Sequence, residues 1–167
     1  VLYLSMENRL AGLIGIEDPM RPESLSVIRE LRKRGIRRIL MLTGDDERTA
    51  AAVAAKLGIT ECRAHLLPED KAAVIRELKD EGRSVLMVGD GINDSPALSA
   101  SEVGVTLRDG ADLAREVADV VLMDCDLERL LTAMELGRIT MKRIHANFGI
   151  IMALNTLVLA GGLSGIL

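Results

Sequence analysis

The sequence contains no tryptophan, one tyrosine (Tyr3) and one phenylalanine (Phe148). Any core must therefore be built from Ala, Val, Leu, Ile and Met, which supply almost all of the 49% hydrophobic content. An excess of positive charge is also missing: 21 Lys and Arg stand against 25 Asp and Glu, a net charge of -4. That balance argues against nucleic acid as the main partner, because phosphate backbones are bound by basic surfaces. Cysteine is scarce. Cys62 and Cys125 lie far apart with no CxxC spacing, which excludes a zinc module, argues against a disulfide scaffold and favours a reducing compartment. They read as small buried apolar residues. No basic-apolar-small leader opens the chain, so no secretory signal is expected. A length of 167 residues suits one ordinary domain.

What is present is an uneven distribution of apolar residues. Residues 148–167, FGIIMALNTLVLAGGLSGIL, carry no charge. As a helix rising about 1.5 Å per residue, they would span roughly 30 Å, the thickness of a bilayer's hydrocarbon core. A buried soluble helix shows a polar face by its third turn; here the polar side chains are Asn155, Thr156 and Ser164. A membrane span, and hence a lipid bilayer as partner, is expected. Arg138, Lys142, Arg143 and His145 precede it, and the positive-inside rule then keeps residues 1–147 cytoplasmic. The chain stops inside the apolar run, the pattern of a piece of something larger. Within the run Asn155 is an expensive polar group that either lines an ion path or bonds to a neighbouring helix, with Gly161, Gly162 and Gly165 marking close packing. Met152 reads as apolar filler. His65 and His145 are isolated histidines and poor metal candidates.

Residues 1–147 read as alternating short elements. Val1–Ser5 and Leu10–Ile16 form an apolar hairpin around a polar turn. Asp18-Pro19-Met20-Arg21-Pro22 stops strand and helix alike and makes a stiff connector. Pro22 suits the first turn of a helix with Leu25, Ile28 and Leu31 on one face, ended by Gly35. Ile39–Leu42 is a short buried strand, Asp46–Leu57 an Ala-rich helix closed by Gly58, and Glu61–Leu67 a weak strand. Pro68–Glu81 is a helix with Val74, Ile75 and Leu78 inward and Gly82 at its end. Ser84–Val88, Val103–Leu107 and Val120–Met123 are further strands, with a short helix near Ala111–Val117. From Asp126 a long helical pattern leads into the apolar run. Strands alternating with helices of this length predict a parallel, Rossmann-like α/β sheet.

Ligands of such a sheet bind beyond the carboxyl ends of its strands. Two motifs fall there. Thr43-Gly44-Asp45 follows one strand, although the same residues make good turns. Gly89-Asp90-Gly91-Ile92-Asn93-Asp94 follows another. Its glycines allow close backbone approach, and its two carboxylates straddle the start of a helix that Pro96 continues. They are hard oxygen ligands suited to Mg²⁺ together with phosphate oxygens; a capped turn, or a calcium loop lacking most of its ligands, would share the pattern. Lys71, in the first turn of the helix after Pro68, could neutralise a transferring phosphoryl group over the same edge. Alone, such a lysine is an ordinary solvated residue, and it gains weight from its company.

Together Asp18-Pro-Met-Arg-Pro, Thr43-Gly-Asp, Pro68-Glu-Asp-Lys71 and Gly89-Asp-Gly-Ile-Asn-Asp-Ser-Pro-Ala-Leu98 resemble, in order and spacing, the phosphorylation domain of P-type ATPases, in the haloacid dehalogenase superfamily. The likeness continues through Val103-Gly-Val and Ala118-Asp-Val-Val-Leu122 into the membrane helix, and is closest to the heavy-metal-transporting branch. The resemblance implies an ATP-driven pump exporting a transition or heavy metal cation through a Mg²⁺-dependent aspartyl phosphate. In it Asp90 would be the Mg²⁺ ligand, and Asp94 would support that site and pair with Lys71. Thr43 and Asn93 would hold phosphoryl oxygens, Gly44 would admit them to the backbone, and Asp45 would face the nucleotide, ATP. Asn155 is the one candidate for the transported ion. Residues 1–17 would be the last hairpin of the nucleotide-binding domain, 18–125 the C-terminal part of the phosphorylation domain, 126–147 a connector helix and 148–167 a truncated transmembrane helix.

The sequence departs from the family in lacking a DKTGT nucleophile segment, a TGE loop and a Cys-Pro membrane motif. The family fold would put the missing nucleophile strand between those ending at Thr43 and Gly89. The remainder of the pump, with its nucleophile, nucleotide and actuator domains and other membrane helices, is thus an expected partner, and the chain alone is expected to be inactive. Two other functions fit parts of the pattern. A soluble phosphatase of the same superfamily would need a DxD nucleophile on an early strand, which is absent, and a non-catalytic membrane-anchored fragment would retain only the phosphate pocket.

Overall fold

The computed structural model describes residues 2–6, 9–15, 19–124 and 126–163. Asp18 of the expected connector, Cys125, and Ser164 and Gly165 of the apolar run lie outside the described residues. Strands β1 (Leu2–Met6) and β2 (Arg9–Ile14) pair antiparallel as the expected hairpin. Its large side chains, Tyr3, Met6, Leu10 and Leu13 among them, stand exposed.

Helix α1 (Ser24–Lys33) starts later than expected. Pro22 belongs to the turn before it, where the Ser24 amide donates to the Arg21 carbonyl at 3.1 Å. That places Pro22 at the second position of a β-turn, which its fixed φ suits. Val27 and Ile28 form the buried face of α1, and Gly35, at φ 94°, ends the segment.

Strand β3 (Leu40–Leu42), helix α2 (Glu47–Leu57), strand β4 (Glu61–Arg63) and helix α3 (Pro68–Asp80) follow, with β3 and β4 parallel. Asp46 caps α2, its carboxylate accepting from the Arg48 and Thr49 amides at 3.0 and 3.1 Å. Gly58 closes it at φ 68°. As expected, α3 buries Val74, Ile75 and Leu78.

Strand β5 (Leu86–Val88), helix α4 (Ser95–Ala100), strand β6 (Val103–Leu107), helix α5 (Asp112–Val117) and strand β7 (Val120–Leu122) complete the α/β part. The strands form a parallel sheet in the order β5-β6-β7. Val105, Leu107, Leu122 and Leu130 form its core cluster, without an aromatic ring.

The parallel strands thus form two sheets, and among the described residues β3 pairs only with β4 and β5 only with β6. This corrects the expectation that residues 39–42 are buried: all three residues of β3 are half-exposed. A strand in a parallel sheet is buried when flanked on both sides. β6 has two neighbours, and its residues 104–107 are fully buried. Cys62, on β4, is likewise half-buried rather than buried.

Helix α6 (Glu128–Leu163) is a single helix of 36 residues. At about 1.5 Å per residue it is roughly 54 Å long, well beyond a bilayer's hydrocarbon thickness. It is long and apolar enough to cross a membrane, and its side chains are exposed from Leu136 onward wherever they are described.

Candidate magnesium and phosphate site

The loop after β5 is built by close approach. The Gly89 amide still donates to the Val105 carbonyl at 3.1 Å, continuing the sheet register. The chain then turns through a single 3-10 turn at Ile92–Asp94 into α4, where Pro96 fits the first helical turn. A Cβ added to Gly89 would lie 2.7 Å from the Asp94 Cβ, so the two residues are packed as tightly as glycine allows. Gly91 is different: its nearest neighbour to such an atom is Asp94 Oδ2 at 3.5 Å, an ordinary contact.

A second loop, at residues 108–111, is hydrogen-bonded to this one. The Ala111 amide donates to the Asp90 carbonyl at 2.9 Å, and the Gly110 amide to that of Leu107 at 2.8 Å. A Cβ at Gly110 would meet Thr106 Oγ1 at 2.6 Å and the Leu107 carbonyl oxygen at 2.8 Å. The hydroxyls of Ser95, at the start of α4, and Thr106, on β6, are buried and have no hydrogen-bond partner.

Lys71 reaches this loop from α3. The helix is started by Pro68 and by Asp70, whose carboxylate accepts from the Leu67 amide at 3.0 Å. Lys71 Nζ donates to Asp94 Oδ1 at 2.7 Å, with the two side chains 13% and 14% exposed. Asp94 Oδ2 accepts from the Gly91 amide at 3.3 Å. Both carboxylate oxygens of Asp94 are thereby occupied from within the protein.

The Thr43–Asp45 turn is closed on itself. The Thr43 hydroxyl donates to Asp45 Oδ2 at 2.9 Å and accepts from the Asp45 amide at 3.1 Å. The turn is tied to the segment entering α3: His65 donates its amide to the Asp45 carbonyl at 2.9 Å and Leu66 to that of Thr43 at 3.0 Å. A Cβ on Gly44 would touch the Leu66 carbonyl oxygen at 3.4 Å. His65 itself adopts φ 55°, the left-handed region that a β-carbon disfavours. Next to the turn, the Thr49 hydroxyl and amide hold the Asp46 carboxyl below its ordinary range.

The structure therefore joins Lys71 and Asp94 directly and links Thr43 to them through residues 65–67 and the start of α3. Thr43 makes no hydrogen bond to Lys71, Asp90 or Asp94. Asp90 and Asn93 are exposed on the rim; Asp90 Oδ2 faces Arg21 at 3.5 Å. Asn155 lies on the exposed apolar half of α6 and is not part of this site. Sequence reasoning missed Gly110, whose Arg-Asp-Gly-Ala context reads as any turn, and Arg21, which it placed only in a connector.

Three or more His, Cys, Asp or Glu do not converge anywhere among the described residues. The donor set nevertheless suits Mg²⁺, which takes one or two carboxylates and completes its shell with water and phosphate oxygens. Asp90, with one oxygen unpartnered, fits a direct ligand; Asp94, with both engaged, fits an outer support.

The profile of the haloacid dehalogenase-like hydrolases matches residues 2–101. The manganese-exporting P-type ATPase of Mycobacterium tuberculosis strain H37Rv is 48% identical over 99% of this chain and 23% of its own length. The zinc-exporting P-type ATPase of Mycobacterium marinum is 47% identical, again over 99% of this chain and 23% of the relative. Among solved structures, a zinc-transporting PIB-type ATPase in its E2.Pi state superposes with a TM-score of 0.86 at 37% identity, over 96% of this chain and 26% of that one. The chain spans about a quarter of the length of these relatives. It belongs to the haloacid dehalogenase-like hydrolase family, in the stretch that family shares with heavy-metal P-type ATPases.

Proposed function

We propose that this chain is the magnesium- and phosphate-binding part of an ATP-driven P-type pump that exports a transition or heavy metal cation. The Lys71–Asp94 pair at the carboxyl end of β5 carries the reading. A nearly buried ammonium there offers fixed positive charge where a phosphoryl group gains negative charge during transfer, and a preorganised charge stabilises that state without reorganising.

Each residue then has a task. Asp90 would hold Mg²⁺, which supplies charge neutralisation on phosphate oxygens when bound. Asp94 orients Lys71 and closes the Gly89–Asp94 loop. The Thr43 hydroxyl turns its proton from Asp45 toward a phosphoryl oxygen, while the Asp45 amide keeps the hydroxyl in place. Asn93, exposed on the rim, donates its amide to the same group, and Gly44 leaves the backbone open beside it. Asp45 faces the nucleotide side.

The nucleophilic aspartate comes from a segment outside this chain, seated between the edges of β3 and β5, whose half-exposure fits an added strand. Residues 1–17 close the nucleotide-binding domain, 18–125 belong to the phosphorylation domain, 126–147 form the connector and 148–167 the membrane helix. Residues 1–147 are cytoplasmic, and the continuous α6 passes movement at the phosphorylation site to a multi-pass membrane part, where Asn155 faces the cation path. Relatives named as manganese and zinc exporters support the cation class.

The test uses radiolabelled ATP and acid-stable phosphoenzyme. In the pump that carries this chain, Asp90→Asn reduces Mg²⁺-dependent phosphoenzyme to background; a normal level removes Asp90 from the site. The 167-residue chain alone forms none, and label on the isolated chain overturns the assignment of the nucleophile to another segment.

A further inference from the structure

The two carboxylates of the Gly89–Asp94 loop have cationic partners of opposite character. Asp94 meets Lys71 at 2.7 Å with both side chains nearly buried. Asp90 meets Arg21 at 3.5 Å, with the side chains 37% exposed for Arg21 and 57% for Asp90. A long, solvated contact of that kind is worth little energetically, whereas a short, enclosed one is hard to exchange. One pair is a fixture and the other is displaceable.

Arg21 also sits where displacement has a consequence. It is the first residue of the turn whose fourth, Ser24, opens α1. Pro19 and Pro22 flank it closely, and proline restricts both its own φ and the residue before it. The backbone at 19–23 thus has few conformations available, and α1 anchors its far end through buried Val27 and Ile28. A change in where the Arg21 side chain is held acts on a stiff segment rather than a slack one.

We propose that Arg21 is the exchangeable counter-ion of Asp90: it holds the carboxylate while no divalent cation is bound, and cation binding releases it, so that occupancy of the site is passed to the connector at residues 19–23. The inference rests on Asp90 as the Mg²⁺ ligand. A divalent cation on that carboxylate attracts it with twice the charge and repels the guanidinium beside it, so both effects favour release. Arg21 is a positioning residue in this scheme and touches no reacting atom.

The experiment measures Mn²⁺, a paramagnetic stand-in for Mg²⁺, binding to the full chain in detergent micelles by the loss of its free-ion resonance signal. Arg21→Gln tightens binding about two- to fivefold, the range expected from an exposed ion pair, and Arg21→Lys, which keeps the charge, stays nearer wild type. Hydrogen exchange at the amides of Ser24 and Val27, which donate to the Arg21 and Glu23 carbonyls at 3.1 and 3.0 Å, gives a second readout: Mg²⁺ accelerates it in the wild type, and in Arg21→Gln the response to Mg²⁺ is lost. If Asp90→Asn weakens Mn²⁺ binding while Arg21→Gln leaves it unchanged, the counter-ion role is overturned and the ion site stands. If Asp90→Asn has no effect, the ion site fails and the counter-ion role with it. Exchange that ignores Mg²⁺ in the wild type also overturns the coupling to the connector.

Discussion

Lys71 and Asp94 come from different helical segments, 23 residues apart, and meet at 2.7 Å in a position almost closed to water. Removing one partner strands the other's charge in that position, whereas removing both does not. Lys71→Met or Asp94→Leu alone should each lower unfolding stability by about 2–3 kcal/mol, below the range for fully buried pairs because some water reaches this one. The double variant should lose less than the sum, with a coupling of about 1–3 kcal/mol in a denaturant double-mutant cycle. A coupling near zero would show that the scaffold, not the pair, joins α3 to the loop.

The glycines of the site divide by what surrounds them. Gly110→Ala forces a methyl group to within 2.8 Å of the Leu107 carbonyl oxygen, a backbone atom that cannot step aside. Gly89→Ala drives one to 2.7 Å from the Asp94 Cβ. Overpacking of this kind costs about 1–3 kcal/mol. Gly91→Ala meets nothing closer than 3.5 Å at ordinary φ and should leave stability nearly unchanged. Thermal unfolding of the three variants orders them, and a Gly91→Ala as damaging as Gly110→Ala would refute the close-approach account.

These contrasts mark what could be read in the sequence. The alternating elements and the caps at Gly58 and Gly82 were legible because each is a local signal. Val103–Leu107 is legible at its observed bounds, because Val103, Val105 and Leu107 alternate with small or β-branched residues in a stretch without charge or proline. The half-exposure of β3 was not legible, since its letters are as apolar as those of β6 and only pairing distinguishes them. In the site, Lys71 was found through its motif, but its near-burial depends on a carboxylate 23 residues away. The brace of Ala111 on the Asp90 carbonyl is likewise tertiary, and the closed Thr43–Asp45 hydrogen bonds, although local, leave no periodic trace.

His65 holds a backbone conformation that costs a residue with a β-carbon, although histidine tolerates it better than most. Its amide ties the Thr43–Asp45 turn in place. His65→Gly keeps that amide and removes the steric penalty, at the expense of a looser unfolded chain. The glycine variant should unfold within a few degrees of wild type, while His65→Val, β-branched at the same φ, should unfold several degrees earlier. Equal melting of all three would show that the conformation is not strained.

Glu102 gives the pH dependence its sign. Its carboxylate accepts from the Val85 amide at 2.8 Å and lies 3.3 Å from Lys79 Nζ. The amide first, and then the ammonium, hold its pKa below the ordinary value despite some opposing desolvation. The folded state therefore binds the proton more weakly than the unfolded chain does. The resulting stabilisation is complete above the unfolded value, about pH 4.3, and is lost as pH falls through the folded one. Arg63 depresses Glu77 in the same way, so the wild-type slope alone does not isolate Glu102. The difference between wild type and Glu102→Gln does: it should be constant from about pH 8 to 6 and shrink as the solution is acidified below the unfolded value. Denaturant midpoints across that range measure it, and a difference that grows on acidification would reverse the assignment of Glu102 as the carboxylate anchoring the entry to β5.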